Sequence, residues 1–219
     1  MNHKRPVFEE ETGRCCARTV RVHYDGAVTT GKATTRCGSL TVICGPMFTG
    51  KTTALIERML AARETGAGAV VAVKPSLDDR YHPTNLTTHD GKSLPAQTID
   101  RPEQLAGFEG DVIGLDEAHF FESGLHAPVM ALVDRGAHVI LAGLDRTSMN
   151  QPFGEMGRLL VEADEVVKLA GHCAVCGGKA VHTVRLFDST ESVVVGGPGM
   201  FENRCRAHLS APRKGDDNQ

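Results

Sequence analysis

The chain has 219 residues, 41% hydrophobic and 23% charged, with a formal net charge of −3. That is the make-up of a soluble globular protein with room for one medium domain and a small appendage. With no Trp, 2 Tyr and 8 Phe and no basic excess, neither an aromatic platform for single strands nor a dedicated nucleic-acid binder is expected.

No apolar run reaches the roughly 18 residues of a membrane span. The opening MNHKRPVFEEETGR lacks the apolar stretch of a secretory signal, so a cytoplasmic location with no membrane partner is the expectation. Residues 1–38 are rich in Thr, Arg and Gly and weakly periodic; Val20–Tyr24 has strand composition, but the segment reads as a flexible extension. Three of the seven cysteines (Cys15, Cys16, Cys37) fall there.

From Ser39 the texture changes. SLTVICG is a β-branched apolar run ending in Gly and predicts a buried parallel strand. KTTALIERMLAARETG, with Leu55, Ile56, Met59 and Leu60 on one face and a stop at Gly66, predicts an amphipathic helix. AVVAVKP is a second strand. The polar, turn-rich DDRYHPTNLTTHDGKSLPA reads as a loop over an active site. DVIGLDE and HVILAGL are further strands, with a helix over Ala127–Arg135 between them. This alternation predicts an α/β parallel sheet with helices on both faces, spanning 39–168. Beyond Lys168 come short β-like runs (Ala180–Leu186, Ser192–Val195), Gly pairs, Cys and His. A zinc-stapled lobe is expected over 169–209, then a disordered tail over 210–219.

GPMFTGKT (Gly45, Pro46, Met47, Phe48, Thr49, Gly50, Lys51, Thr52) fits the G-x-x-x-x-G-K-[ST] pattern between a strand and a helix. The two glycines let backbone N–H groups face phosphates at a helix N-terminus. Lys51 reaches the terminal phosphates and the Thr52 hydroxyl suits Mg²⁺. GAVTTGKA (Gly26–Ala33) nearly fits the same pattern, but Ala33 stands where a hydroxyl is needed and no helical period follows. Asp116 and Glu117 end the run Val112–Leu115, at the strand edge where open α/β sheets bind ligands. Asp116 then suits Mg²⁺, and Glu117 is free to orient or deprotonate a nucleophile. The letters Asp-Glu-Ala-His also spell a helicase motif. A helicase motor needs two α/β domains of roughly 150 residues each, and here there is space for one.

Cys173, Cys176, Cys205 and His208 form C-x2-C-x28-C-x2-H. Two close chelating pairs make a Cys3His tetrahedral set, and four protein ligands point to structural zinc. His172 adjoins the first pair and competes as a ligand, and a redox Cys-x-x-Cys is the alternative.

Together these motifs resemble the zinc-containing type II thymidine kinases. GPMFTGKT is similar to that family's phosphate loop, DDRYHPTNLTTHDG to its Arg-Tyr…Thr-His-Asp-Gly segment, and LDEAHFF to its Asp-Glu-Ala-Gln-Phe-Phe segment. GLDRTSMNQPFG is similar to the stretch after the next strand, and VVVGGPGMFENRCRAH to a lasso loop closing over the nucleoside. The likeness runs from about Ser39 to Leu209. It implies a P-loop, RecA-like fold and phosphoryl transfer from ATP to the 5′-hydroxyl of thymidine. By the same resemblance Glu117 is the base, Lys51 and Arg80 stabilise the transferring phosphoryl, and Thr52 and Asp116 serve Mg²⁺. Residues 45–52 with Thr53 bind ATP. The nucleoside site draws on Met47, Asp78, Leu144, Thr147, Ser148 and Phe153, closed by Val195, Gly196, Gly197 and Phe201. A homotetramer inhibited by dTTP is implied too.

Three positions depart from the family pattern: His119 stands for Gln, Ser148 for an aromatic, and Phe201 for Tyr. A buried aromatic contributes about 2–3 kcal/mol, so Ser148 predicts weakened thymidine binding or room for a bulkier base unless Met149 or a neighbouring Phe fills the space. Rival readings are a P-loop ATPase and a zinc-ribbon binding protein with a vestigial nucleotide site; intact Lys51, Thr52, Asp116 and Glu117 argue against the latter.

Overall fold

The computed structural model describes residues 37–77, 84–88, 91–188, 194, 196, 197 and 199–210, together with the backbone of 18–24 and 27–33. The first elements are an antiparallel hairpin of β1 (Arg18–Tyr24) and β2 (Ala27–Ala33). It gives regular pairing to part of the stretch expected to be a flexible extension. Strand β2 also absorbs residues 27–33 of the near-match to the phosphate loop, which is therefore drawn out as paired strand.

The main sheet is built from β3 (Ser39–Cys44), β4 (Val70–Pro75), β5 (Asn85–Thr87), β6 (Ser93–Ile99), β7 (Val112–Leu115), β8 (His138–Gly143) and β9 (Glu165–Lys168). Helices α1 (Lys51–Glu64), α2 (His126–Asp134) and α3 (Met156–Glu162) connect them. The strand order is β5-β6-β4-β7-β8-β3-β9, with every pairing parallel except β5 on β6. Strand β8 separates the strand of the phosphate loop from that of the acidic pair, a RecA-like arrangement.

Side chains alternate across each strand, and both faces are covered. Leu40, Val42, Leu115, Val139 and Leu141 pack with Val129, Leu132, Met156 and Leu159 of α2 and α3. Ile43, Ala72, Val112 and Ile140 pack with Leu55, Ile56 and Met59 of α1. Each fully buried Leu or Ile stabilises by about 1.5–3 kcal/mol, so the sheet holds its carboxyl edge as a rigid platform.

The polar stretch after β4 differs from its reading as a loop: Asn85–Thr87 and Ser93–Ile99 pair as β5 and β6. Strand β6 lies between the short edge strand β5 and β4, buries only Leu94 and Ile99, and carries Pro95 just before its pairing with β4 begins at Ala96. After β9 come four short strands, β10 (Gly171–His172), β11 (Lys179–Ala180), β12 (His182–Arg185) and β13 (Phe201–Arg204), in two antiparallel pairs. Of the expected strand over Ser192–Val195 only Val194 is among the described residues, and it is not in a strand; the tail from Ala211 lies outside them.

Candidate active site

The carboxyl ends of β3, β4, β7 and β8 open onto one cavity of about 420 Å³. The loop from Gly45 to Gly50 forms one wall. Gly45 has φ 139°, and a Cβ there would lie 2.5 Å from the Leu169 carbonyl oxygen, so no other residue fits without moving backbone. Gly50, at φ 78°, caps α1 without a side-chain hydrogen bond. That geometry presents the helix's first-turn N–H groups to an anion. Lys51 is buried, and its Nζ donates to the Pro46 carbonyl at 2.6 Å. Burial holds this ammonium below the ordinary lysine value, opposed by the carboxylates of Glu117 and Asp116.

The Thr52 hydroxyl donates to Asp116 Oδ2 at 2.8 Å, and the Asp116 N–H is pinned to the Val73 carbonyl at 3.0 Å. A hydroxyl and a carboxylate in contact beside the phosphate loop are the donor chemistry of a hard divalent cation. Glu117 has left-handed backbone at φ 49°. This conformation costs a non-glycine residue about 1–2 kcal/mol and here turns the chain from β7 into the single 3-10 turn Ala118–Phe120.

His119 is buried behind Glu117. Its Nδ1 accepts the Leu144 N–H at 3.2 Å and lies 3.4 Å from Glu117 Oε2. An Nδ1 that accepts is unprotonated, so the ring is neutral with its proton on Nε2. The ring stacks on Phe120 at 4.5 Å and meets Phe153 edge-on at 4.7 Å between centroids. The imidazole thus offers the acceptor that a glutamine amide would offer, and adds aromatic packing.

Of the residues named from sequence, Met47, Phe48, Thr49, Gly50, Lys51, Thr52 and Thr53 line the cavity, as do Asp116 and Glu117. Leu144, Ser148, Phe153, Gly196 and Phe201 line its other side. Gly45 and Pro46 are buried beneath the loop, and Thr147 and Gly197 are not on the cavity wall. Asp78, Arg80 and Val195 lie outside the described residues, as does His89. Met149 is 59% exposed and does not fill the space beside Ser148; Phe120 and Phe153 supply the aromatic surface. Asn85–Thr88 and Val194, also on the wall, belong to the stretches read as a loop over the site and as the lasso loop; sequence reasoning missed Lys74, Thr183 and Arg185 there. Lys74 had a legible signal, a lysine inside an otherwise apolar strand, whereas Thr183 and Arg185 had none.

Next to this site, ligand atoms of Cys173, Cys176, Cys205 and His208 all lie within 4.8 Å of one another. The Cys205 backbone amide, with those of Cys176 and Val175, aims at the Cys173 sulfur and brings that thiol down to about 6. A stabilised thiolate among two further sulfurs and an imidazole suits zinc. His172 is outside this group, with its Nδ1 3.2 Å from the Gly177 carbonyl.

These features define a P-loop α/β nucleotide-binding protein with a Cys3His cluster. The thymidine kinase family model matches residues 38–209. The chain is 40% identical over 178 residues to the thymidine kinase of Rhodothermus sp. (strain ITI 518), covering 80% of this chain and 83% of that one. It is 38% identical over 192 residues to that of Coprothermobacter proteolyticus (82% and 94%), and 39% over 189 residues to that of Bacteroides thetaiotaomicron (85% and 94%). The chain belongs to the thymidine kinase family.

Proposed function

We infer that the protein is an ATP-dependent thymidine kinase, transferring a phosphoryl group to the nucleoside 5′-hydroxyl to give dTMP. The observation that supports this reading is one cavity lined by the phosphate loop, by Leu144, Ser148, Phe153 and Phe201, and by Glu117. A donor and an acceptor subsite thereby share one acidic pair.

In this reading the Glu117 carboxylate accepts the 5′-hydroxyl proton, the freed oxygen attacks the γ-phosphorus, and the bond to the bridging oxygen of ADP breaks. Loop amides, Lys51 and Arg80 hold the charge on the phosphoryl oxygens, and Asp78 takes part in binding the nucleoside. Thr52 and Asp116 would hold Mg²⁺, which neutralises phosphate charge when bound. The cysteines and His208 would hold a structural zinc. We assign 39–168 as the kinase domain, 169–209 as a zinc lobe with the lasso loop, and 1–38 and 210–219 as appendages. From the resemblance, the reading extends to a homotetramer, feedback inhibition by dTTP and a cytoplasmic setting with no membrane or nucleic-acid partner. No helix among the described residues is long and apolar enough to cross a membrane.

Ser148 on the wall, with Met149 turned outward, supports a base range broader than thymidine. The test is a panel of deoxynucleosides with ATP and Mg²⁺, following nucleoside monophosphate and ADP together. Equal amounts of dTMP and ADP are expected. ADP without a nucleotide product would return the protein to the ATPase class, and strict thymidine preference would remove the broadened range alone.

A further inference from the structure

We propose that Thr183 and Asn203 are positioning residues that brace the phosphate loop, so that the Cys/His lobe sets the geometry of the nucleotide site. The proposal rests on the reading of residues 45–52 as the nucleotide-binding loop. Met47, third in that loop, gives both its backbone polar groups to the lobe. Its N–H donates to Thr183 Oγ1 at 2.9 Å, and its carbonyl accepts from Asn203 Nδ2 at 2.8 Å. The Thr183 hydroxyl donates to Asn203 Oδ1 at 3.4 Å.

The direction of each bond follows from chemistry. A backbone carbonyl only accepts, so the Asn203 amide must face Met47 with its nitrogen, which leaves its oxygen for the threonine hydroxyl. The three bonds close a ring in which the Thr183 hydroxyl accepts from Met47 and donates to Asn203. Thr183 and Asn203 are direct cross-strand partners on β12 and β13, 8% and 9% exposed, so water competes little for these contacts.

The ring is tied to the cysteine cluster by backbone. The Asn203 carbonyl accepts the N–H of Ala174, which lies between Cys173 and Cys176, at 2.8 Å. Cys205 follows the end of β13 directly. Gly171 of β10 leaves the space this needs: a Cβ there would stand 2.6 Å from Asn203 Nδ2 and 3.3 Å from Thr49 Cγ2. The phosphate loop, the first cysteine pair and the strand leading to the second pair therefore converge on one asparagine. Pro46 carries no N–H, and the Pro46 carbonyl is taken by Thr49 Oγ1 and Lys51 Nζ. The brace at Met47 thus holds the start of the loop from outside the main sheet.

The test uses the full-length, zinc-loaded protein with Thr183→Val, which removes a hydroxyl at nearly constant volume, and Asn203→Asp, which sets an oxygen against the Met47 carbonyl. Affinity for Mg²⁺·ADP is measured by calorimetry, zinc per chain by a colorimetric assay, and kcat and KM for thymidine at saturating ATP. A buried donor or acceptor left unmatched loosens the loop. Mg²⁺·ADP binding is therefore expected to weaken about tenfold in each variant, with zinc content close to wild type and thymidine KM, at a wall that Thr183 shares, changing by less than the ADP affinity. Because the ring is closed, the double variant should lose little more than either single one. Binding within twofold of wild type in Thr183→Val overturns the brace, and so does loss of zinc in that variant, since Thr183 would then hold the lobe rather than the loop. Should Asn203→Asp misfold, Thr183→Val still decides. Wild-type protein that binds no Mg²⁺·ADP would overturn the reading of the loop itself.

Discussion

Replacing Glu117 by Gln keeps the length and planarity of the side chain and removes its capacity to take a proton. The left-handed backbone at φ 49° is strained equally in both residues, so the turn after β7 should persist. The Thr52–Asp116 hydrogen bond does not involve Glu117, which leaves the proposed metal ligands in place. The 3.4 Å approach to His119 Nδ1 is long, and the ring is held by Leu144 and two phenylalanines, so its loss costs little. Lys51 loses the strongest of the three carboxylate influences, from Glu117, Asp116 and Asp145, that offset its burial, which moves its pKa further down. The proposed base contribution, typically worth 10²–10⁴ in rate, or about 3–5 kcal/mol on the barrier, is what the substitution tests. Steady-state ADP release at saturating thymidine should show kcat falling at least a hundredfold, with KM for ATP within about threefold of wild type. A kcat within about threefold of wild type would refute Glu117 as the proton acceptor. A large rise in KM for ATP at unchanged kcat would recast it as a binding residue.

Three further perturbations have calculable outcomes. Purified protein should carry about one zinc per chain, and Cys205→Ser should lower Tm, each 1 kcal/mol lost appearing as about 2–4 °C; a metal-free wild type with the same Tm would count against the site. Ser148→Phe places a ring on the cavity wall at a half-buried position, so roughly half of the 2–3 kcal/mol of full burial is expected. That amounts to about a tenfold lower thymidine KM with weaker use of bulkier bases, and an unchanged KM would show that the wall is already complete. Burial, reinforced by Arg146 and Arg206, lowers the pKa of His182 from 6.5. The unfolded chain then binds a proton that the folded one does not, so stability rises with pH up to about 6.5 and is lost on acidification below it. Melting curves from pH 7 to 5 should therefore be flatter for His182→Asn than for wild type; equal slopes would remove His182 as the cause.

The sequence was most readable where neighbours in the chain are also neighbours in the chemistry. Strands β3, β4, β7 and β8 are buried on both faces and appear as continuous apolar runs. Strand β6 escaped because it buries only Leu94 and Ile99 and carries Pro95 just ahead of its pairing with β4, so neither an apolar run nor a clean period shows. Strand β9 escaped because Val166, at its outer margin, is 46% exposed, leaving no period to detect. The same division holds in the site. Gly45, Gly50, Lys51 and Thr52 lie within one turn of backbone, and Asp116 and Glu117 at one strand end, so spacing alone brings each set together. Thr183 meets Met47 across 136 residues, and no local pattern announces such a pairing. His119 lies between these cases. Its departure from the family's glutamine was visible, but the reason the position tolerates it was not, because that reason is the Leu144 N–H, 25 residues on. Any side chain there must present an acceptor to that amide while facing Phe120 and Phe153, and a neutral imidazole meets both demands. The letters that suggested a helicase therefore arise from packing behind the acidic pair, a requirement separate from the chemistry proposed for Asp116 and Glu117.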